Sequence, residues 1–182
     1  MGTGSTNEIW RTTYVPDTFA TGSVTISNNT LKVVAIQLTE GQTINDFGIN
    51  VTTATAAGTI TAAIYKAAID GNGQLTGGAL EYNFGTIDAT STGEKNITSI
   101  GHVLGATEED VYFLAIHNAT GTTLGVMGVG STQVAGPLYH SSIYATTAYR
   151  GTTFNLSTAT LPSTLNGQNF TKGIDFPIYG IR

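Results

Sequence analysis

From Leu31 onward the chain repeats one pattern: a short β-type run, then a turn signal, and nowhere a 3.6-residue apolar period sustained over a helix's length. Residues 31–38 (LKVVAIQL) give way to Glu40-Gly41, and residues 44–51 follow with Phe47, Ile49 and Val51 sharing a face. In residues 59–68 (TITAAIYKAA) the same period turns Ile60, Ala62 and Ile64 inward, and Asp70-Gly71-Asn72-Gly73 then supplies residues that accept positive φ in a tight reversal. Leu80, Tyr82 and Phe84 alternate with Glu81, Asn83 and Gly85, which is the period of a half-buried strand. Residues 111–116 (VYFLAI) are apolar on both faces and predict a central strand. Residues 124–129 continue the pattern, and residues 174–181 (IDFPIYGI) close the chain as a strand that Pro177 confines to a sheet edge or a bulge. Between them, residues 131–171 read as a long irregular stretch rich in Tyr, Thr, Ser and Asn. About eight short strands at roughly 8–12-residue spacing predict an all-β fold, an antiparallel β-sandwich of jelly-roll type. No internal repeat points to a solenoid or propeller.

Residues 1–30 differ: they are polar and turn-rich, with Trp10, Tyr14, Val15 and Phe19 as the sizeable apolar anchors. They predict an extended N-terminal arm in front of a sandwich domain over residues 31–182. Held in place, such an arm needs a surface to lie on. The 182 residues suffice for one domain plus the arm, with no second core required. Charged residues make up only 10% of the chain, against about 25% in an ordinary soluble protein, so the surface is polar but nearly uncharged. With few lysines and glutamates there is little side-chain entropy to freeze on contact, and broad, flat protein–protein packing is favoured.

The net charge of −5, with seven basic residues scattered singly, leaves nothing to neutralise a run of phosphates, so nucleic acid is excluded as a partner. No apolar run approaches the roughly 18 residues of a membrane span, and residues 1–5 lack the basic start and apolar stretch of a secretion signal. The chain is therefore expected to be made in a cytoplasm and to leave, if it leaves, by another route. Met1-Gly2 with Thr6 fits the short N-myristoylation pattern, which a Gly/Thr-rich start matches by chance. Cysteine is absent, so neither disulfides nor Cys-ligated metals enter the argument.

The residues that could carry chemistry are sparse. His102, His117 and His140 stand in three different segments with no metal-ligand spacing. No G-x-S-x-G elbow precedes a helix. Asp70, Asn72, Gln74 and Glu81 invite comparison with a calcium loop, but Leu75 stands where such a loop needs glycine, and a hairpin turn is the better reading. Glu108-Glu109-Asp110 is either a collector of a hard cation or, more simply, a solvated turn before a buried strand. A pair of carboxylates for glycoside hydrolysis is not singled out by any sequence neighbourhood. The expectation is a protein without catalytic residues, cofactor or metal. The densest aromatic cluster is residues 137–150 (PLYHSSIYATTAYR), where Tyr139, Tyr144 and Tyr149 offer rigid amphipathic area and Ser141, Ser142 and Thr146 offer hydroxyls. Subunit interface, packing on its own domain and sugar binding all remain open for this segment.

The stretch INDFGINVTTATAAGTITAAIYKAAIDGNGQLTGGALEYNFGTIDATSTGEKNITSI, followed by VYFLAIHN, resembles a β-sandwich module of tailed-bacteriophage virion proteins. That module runs from a strand ending in "IGV-VTT" through a strand ending in "IY", a glycine-rich hairpin and a "GTVDTSSTG" turn to an aromatic strand of the "YWLA" kind. The counterparts here are residues 47–53, 59–65, 71–78, 85–93 and 111–116. Two departures are the missing hairpin proline and Glu108-Glu109-Asp110 in place of a glycine-type turn. The resemblance implies a virion structural protein: a capsid decoration (cement) protein on the outer surface of the capsid, or a tail or fibre module that binds host surface carbohydrate. For the first role the expected partners are the major capsid protein, with Trp10, Tyr14 and Phe19 as contacts of the arm, and further copies of the chain in a homotrimer. For the second role the contacts are Tyr139, Tyr144 and Tyr149.

Overall fold

The computed structural model describes residues 11–12, 21–71, 73, 75–129, 153–173, 176–177 and 180–182. In chain order its strands are β1 (Arg11–Thr12), β2 (Thr21–Ile26), β3 (Thr30–Gln37), β4 (Thr43–Ile44), β5 (Phe47–Thr53), β6 (Thr59–Ile69), β7 (Leu75–Asp88) and β8 (Gly93–Ile97). They continue with β9 (His102–Val103), β10 (Val111–Asn118), β11 (Leu124–Val129), β12 (Thr153–Ser157), β13 (Thr171–Gly173), β14 (Phe176–Pro177) and β15 (Gly180–Ile181). All described pairings are antiparallel.

Two sheets form the sandwich. One has the order β13-β12-β3-β10-β6-β7. In the other, β5 lies between β8 and β11, and β2 lies on the far side of β11. β5 and β11 diverge beyond the Val51–Val126 pair, and the C-terminal segment enters the fork: β14 pairs with β11 and β15 with β5. Where a single strand is expected over residues 174–181, the described residues there belong to β14 and β15, which pair with different strands. Pro177, which has no N–H to donate, sits at the tip of that fork. Alternating residues of both sheets meet between them, with Ile49, Val51 and Val126 on one side and Val34, Ile64, Leu114 and Ile116 on the other.

β10 is central, as its composition predicts, and all of its residues are buried. Tyr112, Leu114 and Ile116 face the other sheet, while Val111, Phe113 and Ala115 face outward. That outward face is covered too. Residues 158–170 cross it as a strap, seating Leu161, Leu165 and Phe170 on Leu31, Val33, Tyr65 and Phe113. A second apolar cluster therefore exists where none seemed required, and the irregular stretch supplies both its cover and, through β12, a strand of the sheet. The strap fits closely because residue 77 is glycine: a Cβ there would lie 2.6 Å from Cβ of Leu165. Tyr65 is buried and donates its hydroxyl to the carbonyl of Pro162 at 2.8 Å, and burial pushes its pKa far above the ordinary phenol value.

Two further expectations need correction. The sandwich begins earlier than residue 31, because β2 pairs along its whole length with β11 and buries Val24 and Ile26 in the core. Leu80, Tyr82 and Phe84 do not share a face. The β6–β7 register runs Ala63↔Asn83, Ile64↔Tyr82, then Tyr65↔Leu80, which leaves Glu81 unpaired in a bulge. One inserted residue reverses the alternation, so Leu80 packs with the outer cluster while Phe84 joins the inter-sheet core.

Candidate functional site

The bulge that breaks the alternation also brings three ionisable side chains, Glu81, Lys66 and His102, into one cluster. Expelled from the ladder, the Glu81 side chain turns toward residues 101–107, which carry β9. Its Oε2 lies 3.0 Å from Nζ of Lys66 on β6, and its Oε1 accepts from the Gly105 N–H at 2.9 Å and lies 3.1 Å from Nε2 of His102. The Tyr82 ring stacks on the His102 ring at 4.2 Å, and the Tyr112 hydroxyl donates to the Gly105 carbonyl at 2.5 Å. Burial alone would raise the pKa of Glu81, but the Gly105 amide, Lys66 and His102 together hold it below the ordinary glutamate range. An ionised carboxylate only accepts, so Nε2 of His102 carries the proton of that bond.

A carboxylate beside an imidazole is half of many catalytic sites; here Oε1 fastens the loop and Oε2 holds Lys66 of β6. The cluster is a clamp between β7, β6 and the β9 loop. Glu81→Ala is expected to cost about 1–3 kcal/mol, the range for losing charged hydrogen bonds. Faster amide hydrogen exchange at Leu104 and Gly105 is the local readout. Because the folded pKa is depressed, the clamp stabilises fully at neutral pH and is lost as pH falls through the carboxylate range. The Glu81→Ala penalty should therefore shrink at acid pH, measured by urea unfolding at a series of pH values.

The other candidates resolve as follows. Asp70 and Gly73 form a turn between β6 and β7, the Gly73 N–H donating to the Asp70 carbonyl at 3.0 Å with Gly73 at φ +75°. Glu108, Glu109 and Asp110 are exposed in one 3₁₀ turn before β10, and Asp110 borders a small groove of about 210 Å³ lined by Gln37, Leu38 and Thr39. Among the described residues no three or more His, Asp or Glu side chains gather in a way that would hold a metal ion. His117 is buried, with Nε2 2.9 Å from the Thr158 carbonyl. Trp10, Tyr14 and Phe19, the segment around Tyr139, Tyr144 and Tyr149, and His140 lie outside the described residues.

A polar surface lies on the outer side of the sheet built on β5 and β11. Since Val24, Ile26, Ile49 and Val51 point into the core, Ser23, Thr25, Asn50 and Thr52 point away from it. Hydroxyls converge there: Ser23 Oγ and Thr52 Oγ1 are 2.6 Å apart, and a Cβ on Gly125 would lie within 3 Å of the hydroxyls of Ser23, Thr52 and Thr53. Glu94, bonded to Nδ2 of Asn96 at 3.1 Å, brings an acidic group to this small-residue face. Comparison with family models and with curated proteins finds no match. Sequence reasoning did not find the Glu81 clamp, since its members stand far apart in sequence. The one local signal is a lone glutamate between Leu80 and Tyr82 in an apolar strand.

Proposed function

We propose that this chain is a virion structural protein of a tailed bacteriophage, a capsid decoration (cement) protein on the outside of the shell. The observation that carries the reading is the outer face around Gly125, a broad surface of hydroxyl and amide groups with little charge, suited to lying against other proteins. The resemblance of residues 44–118 to phage virion sandwiches supports the same assignment, as does the composition, and the jelly-roll connectivity belongs with this proposal. Its partners are the major capsid protein and two further copies in a homotrimer, and its mode of action is binding rather than catalysis.

The test targets the proposed arm. Replacing Trp10, Tyr14 and Phe19 together by alanine should leave the circular dichroism of the sandwich unchanged and abolish decoration of capsids, because aromatic anchors dominate interface energies at about 2 kcal/mol or more each. Wild-type occupancy by the triple variant would remove the arm as the clamp. Imaging that finds a few copies at the tail, instead of many on the shell, would favour carbohydrate recognition through Tyr139, Tyr144 and Tyr149. Cleavage of host polysaccharide by the pure protein would overturn the binding role.

A further inference from the structure

We infer that Asn166-Gly167 is a site of spontaneous deamidation, a slow self-modification that loosens the strap over the outer face of the six-stranded sheet. The dipeptide forms the tip of a turn closed by the Gln168 N–H donating to the Leu165 carbonyl at 3.3 Å. Both residues are exposed, Gly167 stands at φ +74°, and no atom lies within 4 Å of where a Cβ would be. The Asn166 main-chain N–H donates to Thr164 Oγ1 at 3.1 Å, whereas its side-chain amide has no hydrogen-bond partner among the described residues. No side-chain hydrogen bond therefore holds the Asn166 carboxamide away from the Gly167 amide nitrogen.

The step balances with water as its only co-reactant. The Gly167 nitrogen loses its proton and bonds to Cγ of Asn166, the Cγ–Nδ2 bond breaks, and ammonia leaves with that proton. Water then opens the cyclic imide at either carbonyl, which leaves aspartate or isoaspartate at position 166. The isoaspartate route inserts an extra main-chain carbon into the turn directly after Leu165. That is where the strap is fastened: Leu165 is buried in the outer cluster, its N–H donates to the Gly78 carbonyl at 2.9 Å, and the Leu80 N–H donates to the Ser163 carbonyl at 2.9 Å. Displacing Leu165 uncovers the close contact at Gly77 and a new carboxylate appears beside it.

The experiment ages the full chain and its Asn166→Gln variant at mildly alkaline pH, then follows each asparagine by tandem mass spectrometry of peptides and tags isoaspartate enzymatically. Asn166 should convert about tenfold faster than Asn155 or Asn96, because glycine alone leaves the following amide sterically free. Limited proteolysis within residues 158–170 should rise with ageing in the wild type and stay constant in Asn166→Gln, which retains the second Asn-Gly pair at Asn72-Gly73. Conversion at Asn166 no faster than at Asn155 and Asn96 would overturn the site. Conversion without any gain in strap cleavage would overturn its effect on the strap.

Discussion

Phe47→Ala is expected to lower the free energy of unfolding by about 3–5 kcal/mol, the range for deleting a buried aromatic ring, read as a shift of the urea midpoint at unchanged slope. Phe47 is fully buried at a junction: β5 pairs there with Ile97 of β8 on one side and with Ile181 of β15 on the other. Its ring stacks on Phe84 at a centroid distance of 5.3 Å, and Phe84 comes from the opposite sheet. Removal therefore leaves a cavity walled by three strands of one sheet and one of the other, and hydrogen-bonded ladders cannot close over it. A domain of this size holds about 5–15 kcal/mol in all, so the variant should lie near the edge of folding. Leu165→Ala in the strap should cost less, because Leu165 sits on a loop that can settle into the space. A Leu165→Ala penalty equal to that of Phe47→Ala would mean that the outer cluster is as rigid as the core between the sheets.

How much of this was legible beforehand follows from the range of each signal. The central position of β10, the inward set Ile60, Ala62 and Ile64, and the face shared by Phe47, Ile49 and Val51 all rest on an unbroken period of two, which a sequence displays directly. The face of Leu80 departs from the alternation because a bulge leaves no mark in composition: Glu81 looks like one more outward residue, yet it has no partner in the β6–β7 register. The strap was invisible for a related reason. Leu161, Leu165 and Phe170 are spaced irregularly, so they read as loop, yet a sheet apolar on both faces requires a cover from somewhere, and the apolar outward set Val33, Phe113 and Ala115 already implied one. The clamp at Glu81 depends on Lys66 and His102 meeting across three elements, which no spacing rule foretells. The surface proposed for protein contact rests on alternation again, since knowing that Val24 and Val51 are inside fixes Ser23 and Thr52 outside.

Arg182→Met should cost about 3 kcal/mol, the lower end of the range for breaking a buried ion pair, and the reason lies in which partner is left behind. The Asp46 side chain is 5% exposed and Arg182 35%, so the arginine can reach water and the carboxylate cannot. Nε of Arg182 donates to Asp46 Oδ2 at 2.7 Å and Nη2 contacts the same oxygen, while the main chains exchange bonds of 3.0 and 2.9 Å between the same two residues. Methionine keeps the apolar stem and those main-chain bonds and removes the guanidinium that bonds Asp46. With the arginine gone, Asp46 is a buried charge without its counter-ion, whereas a neutral amide in its place carries no charge to strand. The double variant Asp46→Asn with Arg182→Met should therefore recover most of the lost stability, a coupling that a double-mutant cycle in urea reads directly. A single Arg182→Met penalty below about 1 kcal/mol would place the pair with exposed surface bridges instead, and β15 would then be held to β5 by its main-chain bonds and Ile181 alone.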